Sequence, residues 1–191
     1  MTDMATKRPY IFIFTGTAGS GRKTTAHRAL KGRDGIQHVP SCTDRPPRSI
    51  EHPDSDYRYV SPQQFQLMLL NDYFAEHVII DRHYYGIGRR YLETALDTGN
   101  HVYLIVNREG SDAIVKKYGD RVIRIFLYAD KKTVQERLES KGMSYGVIDN
   151  YLSHYGEEVT YRKSCEHVIE NVEIEGTVAQ IRRIVEDYIS E

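Results

Sequence analysis

The sequence predicts an α/β fold, a central parallel sheet with helices on both faces. Three observations carry this. Short apolar runs rich in β-branched and aromatic residues recur at 10–14, 101–106 and 122–128. Segments of helical composition alternate with them, at 23–30, 90–97, 131–140 and 178–189. A glycine-rich turn, Gly16-Thr17-Ala18-Gly19-Ser20-Gly21, joins the first apolar run to the first helix. Strands that alternate with helices build crossover units, and crossover units build parallel sheets.

Taken in order, residues 10–14 are apolar at every position, the pattern of a strand buried on both faces. A helix follows over 23–30. A second short strand begins at Val39. Residues 43–56 carry three prolines and many charges, so they read as loop. At Ser61-Pro62-Gln63-Gln64 a helix starts: Ser61 caps, Pro62 takes the first helical position and Gln64 completes a capping box. Phe65, Met68 and Leu69 give it an apolar face. A strand over 74–80 precedes the helix at 90–97, which Gly99 ends. After the strands at 101–106 and 122–128 come a helix at 131–140 stopped near Gly142, a helix at 147–162, a short strand at 167–169 and a final amphipathic helix at 178–189.

The chain has 191 residues, a length that suits one domain over 1–191. Hydrophobic residues at 40% and charged residues at 28% exclude a disordered chain. A net charge of -1 gives no general footprint for DNA or RNA, though a local cationic cluster could still hold a small anion. No apolar run approaches the roughly 18 residues of a membrane span, so no membrane partner is expected. The two cysteines, Cys42 and Cys165, lie far apart, and no HxxxH pair appears among the eight histidines. That excludes a disulfide framework and a zinc site, leaves no metal held by side chains, and fits a reducing cytoplasm.

Residues Gly16 to Thr24 lie between a predicted strand and a predicted helix, the context of a phosphate-binding loop. Glycines let backbone N–H groups converge on an anion, and the helix N-terminus adds partial positive charge. A ligand-free turn fits the glycines alone; the context favours the phosphate cradle. The full pattern, GxxxxGK[ST], is altered here. Gly16, Gly19 and Gly21 supply the glycines, Arg22 takes the lysine position, Lys23 takes the hydroxyl position, and Thr24 follows one residue late. Arginine keeps the charge but presents a planar fork instead of an ammonium point charge.

A second cluster follows. Ser41-Cys42-Thr43-Asp44-Arg45-Pro46-Pro47-Arg48 offers two arginines on a chain that proline keeps extended. Then come Glu51, Asp56-Tyr57-Arg58-Tyr59-Val60-Ser61, Phe74-Ala75-Glu76-His77 and Tyr84-Tyr85-Gly86. Two arginines and two tyrosine hydroxyls can hold a phosphate dianion. A nearby carboxylate can accept two N–H bonds from a guanine edge, a donor pair that adenine lacks.

This order of residues closely resembles the guanylate kinase family, with its S-x-T-T-R-x-P-R, E-x-x-G-x-D-Y-x-F-V-S, F-x-E and Y-Y-G stretches, and the resemblance runs from Tyr10 to the last helix. It implies a P-loop kinase fold: a core over 8–40 and 88–191, a small inserted lobe binding a nucleoside monophosphate at about 41–87, and a helical lid at about 139–162. It implies phosphoryl transfer from ATP to GMP, with Mg²⁺ accompanying ATP. Arg45, Arg48, Tyr57 and Tyr85 would hold the GMP phosphate, Ser41 and Glu76 would read the guanine, and Glu51 would support the arginines. Arg22, Arg45 and Arg137 would neutralise charge during transfer.

The departures from the family fall mainly on the ATP side. Besides Arg22, the strand end Leu104-Ile105-Val106-Asn107 stands where the family reads L-D-I-D. In the lid, Lys141 and Tyr151 replace arginines. Ile87 follows Tyr85-Gly86 where a hydroxyl residue is usual. Because phosphoryl transfer depends on positioning and charge stabilisation, these changes predict slow turnover. The alternative is an inactive guanylate-kinase-like module that binds GMP or a phosphorylated peptide.

Overall fold

The structure, a computed structural model, describes residues 8–48 and 57–190. In chain order these form β1 (Ile11–Gly16), α1 (Arg22–Leu30), β2 (Ile36–His38), β3 (Ser41–Thr43), β4 (Tyr57–Tyr59), α2 (Pro62–Leu70), β5 (Phe74–Ile80), β6 (His83–Gly88), α3 (Arg89–Asp97), β7 (His101–Ile105), α4 (Arg108–Tyr118), β8 (Val122–Tyr128), α5 (Lys131–Ser140), α6 (Tyr145–Thr160), β9 (His167–Glu170) and α7 (Ile174–Ser190).

The main sheet has the order β2-β7-β1-β8-β9, and every pairing in it is parallel. β1 lies at its centre, which explains its unbroken apolar sequence. Successive side chains of a strand point to opposite faces. Phe12 and Phe14 pack with Ala26 and Leu30 of α1 and Val178, Ile181 and Val185 of α7. Ile11 and Ile13 face the other way, onto Leu92 and Leu96 of α3 and Ile114 of α4. Deleting such a side chain, as in Phe12→Ala, typically costs about 3–5 kcal/mol.

A second, four-stranded sheet has the order β4-β3-β6-β5. β3 runs parallel to β4 and antiparallel to β6. One face carries Cys42, which packs with Phe74 and with Phe65 of α2. Gly86 is kept bare there, since a Cβ would lie 2.7 Å from the Phe74 ring. In the register of this sheet Ser41 stands beside Tyr57, and Thr43 beside both Tyr59 and Tyr85. The alternation therefore collects Ser41, Thr43, Tyr57, Tyr59 and Tyr85 on the face away from α2.

Several elements differ from the sequence-based expectation. Val39 begins no strand; it links β2 to β3, and its amide bonds Tyr103 O at 3.2 Å. Thr43 ends a strand instead of opening a loop. β4 and β6 are additional strands, each too short or too rich in glycine and tyrosine to show a period. α4 is an additional helix: Gly110, Ser111 and Asp112 weaken helical propensity in its first turns. Its N-terminus is fixed instead by Asn107, whose side chain accepts from the Gly110 amide at 3.0 Å. α7 begins at Ile174, four residues before the apolar stripe. Among the described residues no helix is long and apolar enough to cross a membrane.

Candidate functional site

The loop between β1 and α1 is held by backbone geometry that only glycine permits. Gly16 pairs with Leu127 of β8, and a Cβ on it would lie 1.9 Å from Leu127 O. Gly21 caps α1 with φ 80°, in the left-handed region. Gly19 turns the loop between them. From below, Asn171 donates to Ser20 O at 2.7 Å and accepts from Thr177 at 2.8 Å. Arg137 of α5 joins this brace, donating to Asn171 O at 2.7 Å and to Ser20 O at 3.4 Å.

Two charged groups meet the loop itself. Arg22 turns back, and its Nη1 donates to Gly16 O at 2.6 Å. Glu158 of α6 accepts from the Ala18 amide at 3.0 Å, so a carboxylate sits on a loop N–H. Thr24 is exposed on α1, while Thr25 behind it is buried and bonds Gly21 O at 3.0 Å. The hydroxyls of Thr17 and Ser20 are buried without a hydrogen-bond partner.

The second sheet gathers a cationic, aromatic cluster. Arg45 leaves the end of β3, and its Nε donates to the Tyr85 hydroxyl at 3.0 Å. Its Nη1 donates to Pro46 O at 2.8 Å. The guanidinium carbon lies 5.4 Å from the Tyr57 ring centroid and 5.9 Å from that of Tyr59. Tyr57 and Tyr85 meet edge-on at 5.8 Å. Burial raises the Tyr85 pKa, although the bond from Arg45 opposes this, so the phenol stays neutral and its O–H remains a donor. Lys23, from the first turn of α1, reaches the same cluster, its Nζ lying 5.0 Å from the Tyr57 centroid.

Glu76 on β5 is 6% exposed and opposes Ile87 across the sheet. Its Oε1 accepts from the Ile87 amide at 3.2 Å, and its Oε2 is buried without a partner. Burial pushes its pKa up to about 7, the Ile87 amide opposing. Gly110 lets the carboxyl come close to α4: a Cβ there would lie 3.0 Å from Oε2 and 3.3 Å from the Asn107 side-chain oxygen. Ser41 is buried on β3. Arg48 is exposed, beyond the two prolines that follow Arg45. Glu51 lies outside the described residues.

A phosphate-loop turn on a parallel sheet, facing an inserted sheet with an arginine–tyrosine cluster and a buried carboxylate, matches one family. A sequence model described as guanylate kinase fits residues 6–188. The chain belongs to the guanylate kinase family. It is 28% identical over 178 residues to a guanylate kinase of Fusobacterium nucleatum subsp. nucleatum, covering 93% of this chain and 96% of that protein. It is likewise 28% identical over 179 residues to one of Koribacter versatilis, covering 92% of this chain and 77% of the other. The crystal structure of guanylate kinase from Anaplasma phagocytophilum superposes with a TM-score of 0.78 at 23% identity, over 94% of this chain and 85% of that one. That likeness shows the fold, a P-loop kinase fold.

Guanylate kinases are phosphoryl-transfer enzymes that normally use Mg²⁺. The side chains at the metal-facing positions here do not fit a divalent cation. Lys23 is a cation where the loop pattern has a hydroxyl, Ile105 packs against the main core, and the Asn107 oxygen caps α4. Among the described residues no group of three or more His, Cys, Asp or Glu could hold a metal.

Sequence reasoning missed Glu158, Asn171 and Tyr59. Nothing in the composition of the 147–162 helix separates Glu158 from a solvated carboxylate. Asn171 carried a weak signal, a polar residue directly after a strand beside the loop's end of the sheet.

Proposed function

We propose that this chain transfers the terminal phosphoryl group of ATP to GMP, giving ADP and GDP, with turnover slowed on the donor side. The observation that carries the reading is the Arg45–Tyr85 bond beside the Tyr57 ring, on the same sheet as Glu76. An oxygen of the GMP phosphate would attack the γ-phosphorus. The new O–P bond forms as the bond to the β–γ bridging oxygen breaks, and ADP leaves. Arg45, Arg48, Tyr57 and Tyr85 orient the acceptor phosphate, while Ser41 and Glu76 read the base and Glu51 supports the arginines. Glycines 16, 19 and 21, with Arg22, Lys23 and Thr24, form the donor-side loop, and Arg22, Arg45 and Arg137 neutralise charge. In this reading residues of about 41–87 form the acceptor lobe, about 139–162 the lid, and the rest the core.

A specific observation favours a second reading, a GMP-binding protein without turnover. Arg22 and Arg137 are both engaged with backbone carbonyls, and Glu158 puts negative charge on the loop. Loss of one transition-state contact typically costs about 3 kcal/mol, so several together would suppress the reaction. A coupled assay of ADP production, with ATP, Mg²⁺ and each nucleoside monophosphate in turn, separates the two. GMP-dependent ADP release supports transfer. Background release with every acceptor, from a protein that binds GMP, supports the second reading.

A further inference from the structure

Two cations from different parts of the fold meet at one tyrosine ring. Arg45 comes from the end of β3 and Lys23 from the first turn of α1, and both lie within 5.4 Å of the Tyr57 centroid. Their neighbours Arg22 and Tyr85 show where each is directed. Arg22 folds back under the loop onto Gly16 O, whereas Lys23, one residue later, crosses to the acceptor sheet. Tyr85 accepts from Arg45 and stays a neutral phenol, so its own O–H can point at an anion held between the two cations. A phosphate dianion beside these groups would take charge-assisted bonds from both cations. The four-carbon stem of Lys23 gives its amine the reach to donate one from the first turn of α1.

We propose that Lys23, although its backbone belongs to the donor-side loop, is a ligand of the acceptor phosphate, joining Arg45 and the Tyr57 and Tyr85 hydroxyls. This rests on the reading that the acceptor is a nucleoside monophosphate. The loop position that elsewhere supplies a hydroxyl to the metal thus supplies a cation to the other substrate. Occupancy of the acceptor site then ties the first turn of α1 to the inserted sheet.

The test is calorimetry on the wild type, Lys23→Met and Lys23→Arg, with GMP, guanosine and a non-hydrolysable ATP analogue. Lys23→Met should weaken GMP about tenfold, and guanosine and the ATP analogue by less than about twofold. Lys23→Arg should restore most of the GMP affinity. Wild-type GMP affinity in Lys23→Met overturns the proposal, as does a loss confined to the ATP analogue. Should Lys23→Met fail to fold, Lys23→Gln gives the same comparison with a polar side chain. A wild-type protein that binds neither GMP nor guanosine overturns the acceptor reading itself.

Discussion

In the proposed site, Glu76 is a single buried carboxyl that would couple base recognition to pH. Its pKa of about 7 lies above the ordinary 4.5, so the folded protein holds a proton that the unfolded chain releases. Stability from this group is fully present below about pH 4.5 and is lost as pH rises through about 7, on the order of 3 kcal/mol in all. Urea unfolding between pH 5 and pH 8 should show that decline, and Glu76→Gln should remove it. Base reading needs the opposite protonation state, because only the carboxylate accepts two N–H bonds. Guanosine, which carries no phosphate to titrate, should bind about tenfold more weakly at pH 6 than at pH 8. A flat profile would show that Glu76 does not read the base. Asn107 illustrates how a residue can be visible in sequence and its use hidden. The pattern marks it as a missing acid; the fold uses its oxygen as a helix cap. That use depends on a helix whose first turns have poor propensity.

Among elements, α2 is the most openly written. Its capping box is present in full: Ser61 N donates to Gln64 Oε1 at 2.8 Å, and Gln64 N donates to Ser61 Oγ at 3.1 Å. Ser61→Ala should cost about 1 kcal/mol of stability, measured by urea unfolding, with no change in nucleotide binding beyond it. β1, β7 and β8 were equally legible, since burial on both faces leaves an unbroken apolar run. β4 and β6 were not, because one is three residues long and the other is rich in glycine and tyrosine, so neither shows a period. α6 carries a contact that no local pattern could announce, Glu158 on the Ala18 amide. A carboxylate there would oppose the phosphates of the proposed donor. Glu158→Gln keeps an acceptor for the amide and removes the charge, so an ATP analogue should bind a few-fold more tightly, about 1 kcal/mol by calorimetry. Equal or weaker binding would mean that the carboxylate supports the loop in its working form.

For the molecule as a whole, the two sheets divide the proposed chemistry. The parallel sheet presents the phosphate loop at the end of β1, and the inserted sheet presents the arginine–tyrosine cluster and Glu76. The fold class was legible because strand–helix alternation is a property of local composition. The residues proposed for the acceptor site were legible as a string of short motifs. What sequence could not give is direction. Arg22 and Lys23 are adjacent and alike in charge, yet one turns under the loop and the other crosses to Tyr57. The central claim is that the inserted sheet forms a GMP site, whatever the rate of transfer. Calorimetric titration of the wild-type protein with GMP and with AMP tests it directly. The account predicts GMP binding at least about tenfold tighter than AMP, a difference of about 1.4 kcal/mol. Equal affinities, or no binding of millimolar GMP, would contradict it.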